Sequence, residues 1–198
     1  MLHSIPVTLR LAVALMATLA AAPAMAQTVL PMAPQAADLA RCGRLVTTHP
    51  AEAEVVARAV LGAPAVTPDQ RLSATACLGM AQAVSGQAQA AAATLDEAGP
   101  LLDAPGVSPI GRLEAQMRLA AVLARLDRSD EALEMQEQVL AGAREHGIVP
   151  IQIEALRFMA QVRSTQFDDP EGALPYFQQA YDLHRVLAKT TRTPHPPL

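Results

Sequence analysis

Few side chains in this 198-residue chain have the type and spacing to do chemistry. Cys42 and Cys77 are its two cysteines. Neither has a histidine at ligand spacing, so a zinc site is not expected. An even cysteine count in an exported chain points instead to one disulfide. His49 precedes a proline and His146 a glycine, places where an imidazole closes a helix and meets its dipole. His195 lies in the C-terminal tail. Asp168-Asp169 stands directly before Pro170; it reads as a helix cap rather than as an acid–base pair. There is no G-x-S-x-G elbow, H-E-x-x-H, C-x-x-C or phosphate-cradling glycine loop, so no catalytic, metal or cofactor site is expected. The five aromatics, Phe158, Phe167, Tyr176, Phe177 and Tyr181, crowd towards the C-terminus. Phe177 and Tyr181 are four apart and share a helix face. They are expected to seal the end of a core, with an exposed partner-anchoring patch as the alternative.

The N-terminus reads as an export signal. Residues 1–26 carry one basic residue, Arg10, then the apolar run Leu11 to Ala22, then Pro23 and the small-x-small sequence Ala24-Met25-Ala26. The run is short of the ~20 residues a spanning helix needs, so cleavage after Ala26 is expected rather than an anchor. Gln27 is not a cysteine, which argues against a lipid-anchored form. The expected location is the periplasm or the medium, with no membrane insertion after cleavage. Removing residues 1–26 leaves 172 residues and moves the formal charge from −4 to −5. That length supports one domain with a real core. The mild acidity gives no reason to expect nucleic acid as a partner.

Positioning falls to helices. Residues 27–36 are rich in Pro and Ala and are expected to form a flexible leader; the last nine residues, 190–198, hold three prolines and are expected to be a disordered tail. Between them, residues 37–189 are dominated by Ala, Leu, Arg, Gln and Glu, all strong helix formers. Val and Ile never alternate over a strand length. Breakers at His49-Pro50, Gly62-Ala63-Pro64, Ser85-Gly86, Pro105-Gly106, Gly147 to Pro150 and Asp168 to Pro170 divide this stretch. Eight helices are expected, near 37–48, 50–61, 68–84, 87–102, 109–126, 129–146, 150–166 and 170–189. Short connections make consecutive helices antiparallel.

The second helix of each pair repeats. Ala53, Ala91, Ala132 and Ala173 align at spacings of 38, 41 and 41 residues, with Val60, Ala98, Val139 and Ala180 seven residues further on. Compact residues two turns apart are what close helix packing requires. Asp130-Glu131-Ala132-Leu133 and Glu171-Gly172-Ala173-Leu174-Pro175-Tyr176-Phe177-Gln178-Gln179-Ala180 resemble the second helix of a tetratricopeptide repeat. Leu78-Gly79, followed by Gly86 and Ala91, resembles that repeat's first helix, turn glycine and small packing residue, and Leu119-Ala120 occupies the equivalent place one repeat on. The resemblance spans roughly residues 37–188. The period exceeds the usual ~34 residues, and the first three repeats lack the family's aromatic residues.

The resemblance implies an all-α fold, about four antiparallel helix pairs stacked as a right-handed solenoid. It places Cys42 and Cys77 in the first helices of adjacent repeats, where a disulfide would staple one to the next. It also implies a concave face built from the first helices of the pairs. In that register the face includes Ser73 and Met80, then Glu114, Met117, Ala121 and Arg125, then Phe158, Val162 and Gln166. Met80, Met117 and Phe158 would form a soft apolar strip. Arg118, Arg125, Arg157 and Arg163 would flank it and pair with carboxylates. The implied function is a non-catalytic interaction module that takes a peptide or protein of the cell envelope in its groove. The alternative is a periplasmic sensory or ligand-binding input domain, similar to those preceding diguanylate cyclases or kinases.

Overall fold

Proline opens most of the helices. The computed structural model describes residues 34–190 and contains α1 (Pro34–Leu45), α2 (Pro50–Leu61), α3 (Pro68–Val84), α4 (Ala88–Leu102), α5 (Pro109–Arg125), α6 (Ser129–Glu145), α7 (Val149–Gln166) and α8 (Pro170–Thr190). Five begin on a proline and α7 has Pro150 second. The first helical positions have no intrahelical acceptor for an N–H, so the missing proton costs nothing there. Side chains complete the caps. Thr67 and Gln70 exchange hydrogen bonds in a capping box, Ser108 accepts from the Gly111 N–H at 3.0 Å, and Asp169 accepts from the Gly172 N–H at 2.8 Å.

Seven of the eight helices lie within a residue or so of their expected bounds. The exception is α1, which begins at Pro34, inside the stretch expected to be leader, and ends at Leu45, three residues early. At the other end α8 includes Thr190, the first residue of the expected tail. The expected signal, the rest of the leader and residues 191–198 lie outside the described residues.

A period of 41 residues runs through the backbone. Pro68, Pro109 and Pro150 open the first helices of three successive pairs. The turns inside those pairs pass through Gly86, Asp127 and Asp168, with φ of 73°, 59° and 51°. Glycine adopts this left-handed conformation freely, whereas aspartate tolerates it at a cost. Asp127→Gly should therefore stabilise the protein by about 0.5–1 kcal/mol, read as a raised urea midpoint at unchanged slope; an unchanged or lowered midpoint would show that the aspartate is unstrained.

Small side chains bring the helices together. Ala53, Ala91, Ala132 and Ala173 are all buried, as are Val60, Ala98, Val139 and Ala180 seven residues later. One apolar cluster joins α1, α2 and α3 around Cys42, Val56 and Cys77. A second joins α3 to α5 through Leu72, Ala98 and Leu119, and a third links α5, α6 and α7 through Leu123, Ala132 and Val162. The largest fills the C-terminal end around Leu113, Leu156 and Met159. Each cluster draws on neighbouring helices only, as a repeat solenoid requires. Three of the buried polar side chains are paired locally: Thr94 donates to Gln82 at 2.7 Å, and the Gln152 amide donates to the Ala143 carbonyl at 3.0 Å.

Cys42 and Cys77 form a disulfide between α1 and α3, with Cα atoms 6.5 Å apart. The contact along the stack is uneven. α3 packs broadly on α5, whereas α7 packs on α6 and α8 and touches α5 only lightly.

Candidate functional site

The side chains for a binding face come from the first helices of the pairs, because the second helices back them from behind. Where α7 stands off from α5, a hollow of ≈ 400 Å³ opens. Its wall includes Val46 from the end of α1, Met80 of α3, Met117 and Arg118 of α5, and Ile151 and Glu154 of α7. A second hollow of ≈ 560 Å³ adjoins it through Met80 and Ala121 and runs to Arg125, Phe158 and Gln166. A third, of ≈ 410 Å³, shares Met117 and Glu154 with the first and reaches Phe177 of α8. Through these shared residues the three hollows adjoin one another as a grooved surface of the first helices.

The residues singled out from the sequence border this groove, in different ways. Met80, Met117 and Phe158 are half-buried, with part of each side chain in the core and part open. Glu114 and Arg125 are exposed at its edges. Arg118 is half-buried and donates through Nη1 to Ser73 Oγ at 3.1 Å, which holds its guanidinium over α3. Among the described residues neither Arg118 nor Arg125 has a carboxylate within ion-pair distance. Arg157 is exposed and pairs with Glu154 one turn earlier at 3.0 Å.

Val162 lines the second hollow while packing in the core, 3% exposed, against Leu123 of α5 and Ala132 of α6. One expectation needs correcting. Arg163 does not flank the groove. It lies 3.5 Å from an Asp169 oxygen and 5.5 Å above the centre of the Tyr176 ring, so it ties α7 to α8. Gln166 is also partly committed, donating to the Ala124 carbonyl at 3.1 Å.

The aromatics divide. Tyr176 packs against the C-terminal core and Phe158 against the cluster of α5, α6 and α7. Phe177, Tyr181 and Phe167 are exposed, so they do not seal the end. Sequence reasoning also missed Val46, Ile151, Glu154 and Gln161 as groove residues. The register could have found the last two, since Glu154 and Gln161 are seven apart and share a face with Phe158. Val46 reaches the wall from α1, which packs on α2 and α3 and is joined to α3 by the disulfide.

His49 occupies the N-cap position of α2 without a capping hydrogen bond from its side chain, and His146 the C-cap position of α6. Among the described residues no three or more His, Cys, Asp or Glu side chains gather as a metal site would. No described helix is long and apolar enough to cross a membrane.

Comparison with known proteins rests on the C-terminal half of the helical region. No curated protein and no solved structure matches the chain. Residues 111–185 match the family model described as tetratricopeptide repeat, the span from the first turn of α5 to the last turns of α8. Repeats of this family generally mediate protein–protein interaction. This match, on stacked antiparallel helix pairs, identifies the segment 111–185 as a member of the tetratricopeptide-repeat family.

Proposed function

We propose that the mature protein is an exported, non-catalytic interaction module that takes a segment of a cell-envelope protein or peptide in the groove of its first helices. One observation carries this reading: the hollows adjoin one another, are lined by half-buried Met80, Met117 and Phe158, and are bordered by Arg118 and Arg125, which have no carboxylate of their own among the described residues. Methionine and aromatic side chains adapt to an apolar anchor, and a guanidinium accepts a carboxylate in a fixed fork. The partner would thus present apolar side chains flanked by acidic ones. Export to the periplasm or the medium is supported by the pattern of residues 1–26 and by the Cys42–Cys77 disulfide, since such bonds persist in oxidising compartments.

The test is affinity capture from an envelope extract with the mature protein as bait, beside Met117→Asp and Arg125→Glu. Each variant should bind the captured partner at least about tenfold more weakly, the effect of one lost contact of ~1.4 kcal/mol, with unchanged helicity by circular dichroism. A partner held equally by all three baits would place binding elsewhere.

The size of the first hollow favours a second reading, a sensory input domain for a small molecule. Its ≈ 400 Å³ lies in the range of about 300–1,000 Å³ typical of small-ligand sites. A metabolite that raises the melting temperature of the wild type but not of Met117→Asp would select that reading.

A further inference from the structure

The last helix has two apolar faces and uses one. Ala173, Tyr176, Ala180 and Leu183 of α8 meet the core. Leu174, Phe177 and Tyr181 form a second stripe at i, i+3 and i+7, and they are 62%, 45% and 66% exposed. His184 continues the stripe by one more turn and is also exposed. Beside it runs a furrow of ≈ 440 Å³ between α7 and α8, lined by Ile153, Glu154 and Arg157 on one side and Phe177, Tyr181 and His184 on the other. Earlier in the stack, α2 and α6 each pack broadly on the helix that follows. Among the described residues no helix follows α8. The furrow thus has the form that elsewhere in this protein receives a helix.

We propose that it receives α8 of a second copy of this chain, antiparallel, in a two-fold symmetric dimer. The arrangement of the stripe supports this occupant. Positions 174 and 184, and 177 and 181, are symmetric about residue 179. An antiparallel partner in that register sets Phe177 against the second copy's Tyr181, and Leu174 against the second copy's His184. A two-fold axis makes each contact twice. The flanking charges match as well. Glu171 has no ion pair among the described residues, and Arg185 is held only by Asp182, at 3.5 Å within its own helix. In the same register Glu171 lies within a turn of the second copy's Arg185, and the axis repeats that pair. A parallel copy would oppose like charges instead.

The contact is large enough to hold. In this register the two α8 helices overlap over about 28 Å at 1.5 Å per residue. With the edge of α7 the strip is about two helix diameters wide. That is about 600 Å² per copy, at the lower end of stable interfaces. Paired aromatics at its centre are the kind of anchor that dominates such contacts.

Sedimentation equilibrium of the oxidised mature protein, from low to high micromolar concentration, tests the proposal. The wild type should approach twice the monomer mass. Tyr181→Asp and Leu174→Arg should each raise the dimer dissociation constant at least about 30-fold, with unchanged circular dichroism because both side chains are exposed. Gln178→Cys, next to the axis, should be joined to its counterpart by a short bismaleimide, whereas Gln138→Cys on α6 should not. Met117→Asp and Arg125→Glu should dimerise as the wild type does, which separates this result from the fate of the groove. A monomer at every concentration overturns the proposal, as does a dimer that Tyr181→Asp leaves intact. Dimers that fail to cross-link through residue 178 overturn the antiparallel register. A monomeric wild type that captures another protein through Tyr181 assigns the stripe to that protein and overturns the second copy as occupant.

Discussion

Removing the disulfide by Cys42→Ala/Cys77→Ala should cost about 3–4 kcal/mol of stability. The bond closes a loop of 35 residues, and constraining a loop of that size in the unfolded chain is worth roughly 3–4 kcal/mol. Both side chains are 1% exposed or less, so alanine also leaves small gaps in the cluster that joins α1, α2 and α3. The loss should be local. α1 is a 12-residue helix at the end of the stack, too short to persist without tertiary contacts. Urea melts with and without a reductant measure the total, and amide hydrogen exchange along residues 34–45 measures where it falls. Equal midpoints in both conditions would show that packing alone holds α1. The groove should respond too, because Val46 reaches its wall from the end of α1.

The second large effect is a contrast between two leucines. Leu156 is 1% exposed at the centre of the largest cluster, so Leu156→Ala should destabilise the protein by about 2–5 kcal/mol. Leu174 is 62% exposed on α8, and Leu174→Ala should stay within about 0.5 kcal/mol when measured at concentrations too low for association. The chemical change is the same in both. Denaturant midpoints that differ little would mean that α7 is not buried between α6 and α8 as described. A cost for Leu174→Ala that grows with protein concentration would instead report an interface.

The helices were legible in the sequence because their punctuation is local. Proline at a first turn and glycine at a last one act within a few residues, which is why α2, α3 and α5 were found almost to the residue. The same rule failed at α1, which occupies part of the expected leader and ends at Leu45 rather than at residue 48. The alanine repeat was legible, but its companions were not. Pro68, Pro109 and Pro150 share the 41-residue spacing, as do Gly86, Asp127 and Asp168, yet only backbone dihedrals show that the two aspartates do a glycine's work. The groove was legible as a set of helix positions and not as a shape. The register named Met80, Met117 and Phe158. It could not foresee that α7 stands away from α5 and creates the hollow between them, nor that Val162 turns into the core and Arg163 towards Tyr176. Such outcomes depend on how two helices cross, and no sequence interval encodes that directly.

The light contact between α5 and α7 also has a temporal consequence. Packed interiors move as blocks, and collective displacements of helix pairs run on the microsecond-to-millisecond scale. α7 and α8 are bound tightly to each other, and α7 joins the rest chiefly through α6. A swing of the pair about its α6 contact would part Val162 and Phe158 from Leu123 and Ala124 of α5 and carry the groove wall of Ile151, Glu154 and Phe158 with it. Such a swing would change the width of the groove. A ligand that bridges Met80 to Phe158 would favour its narrow end.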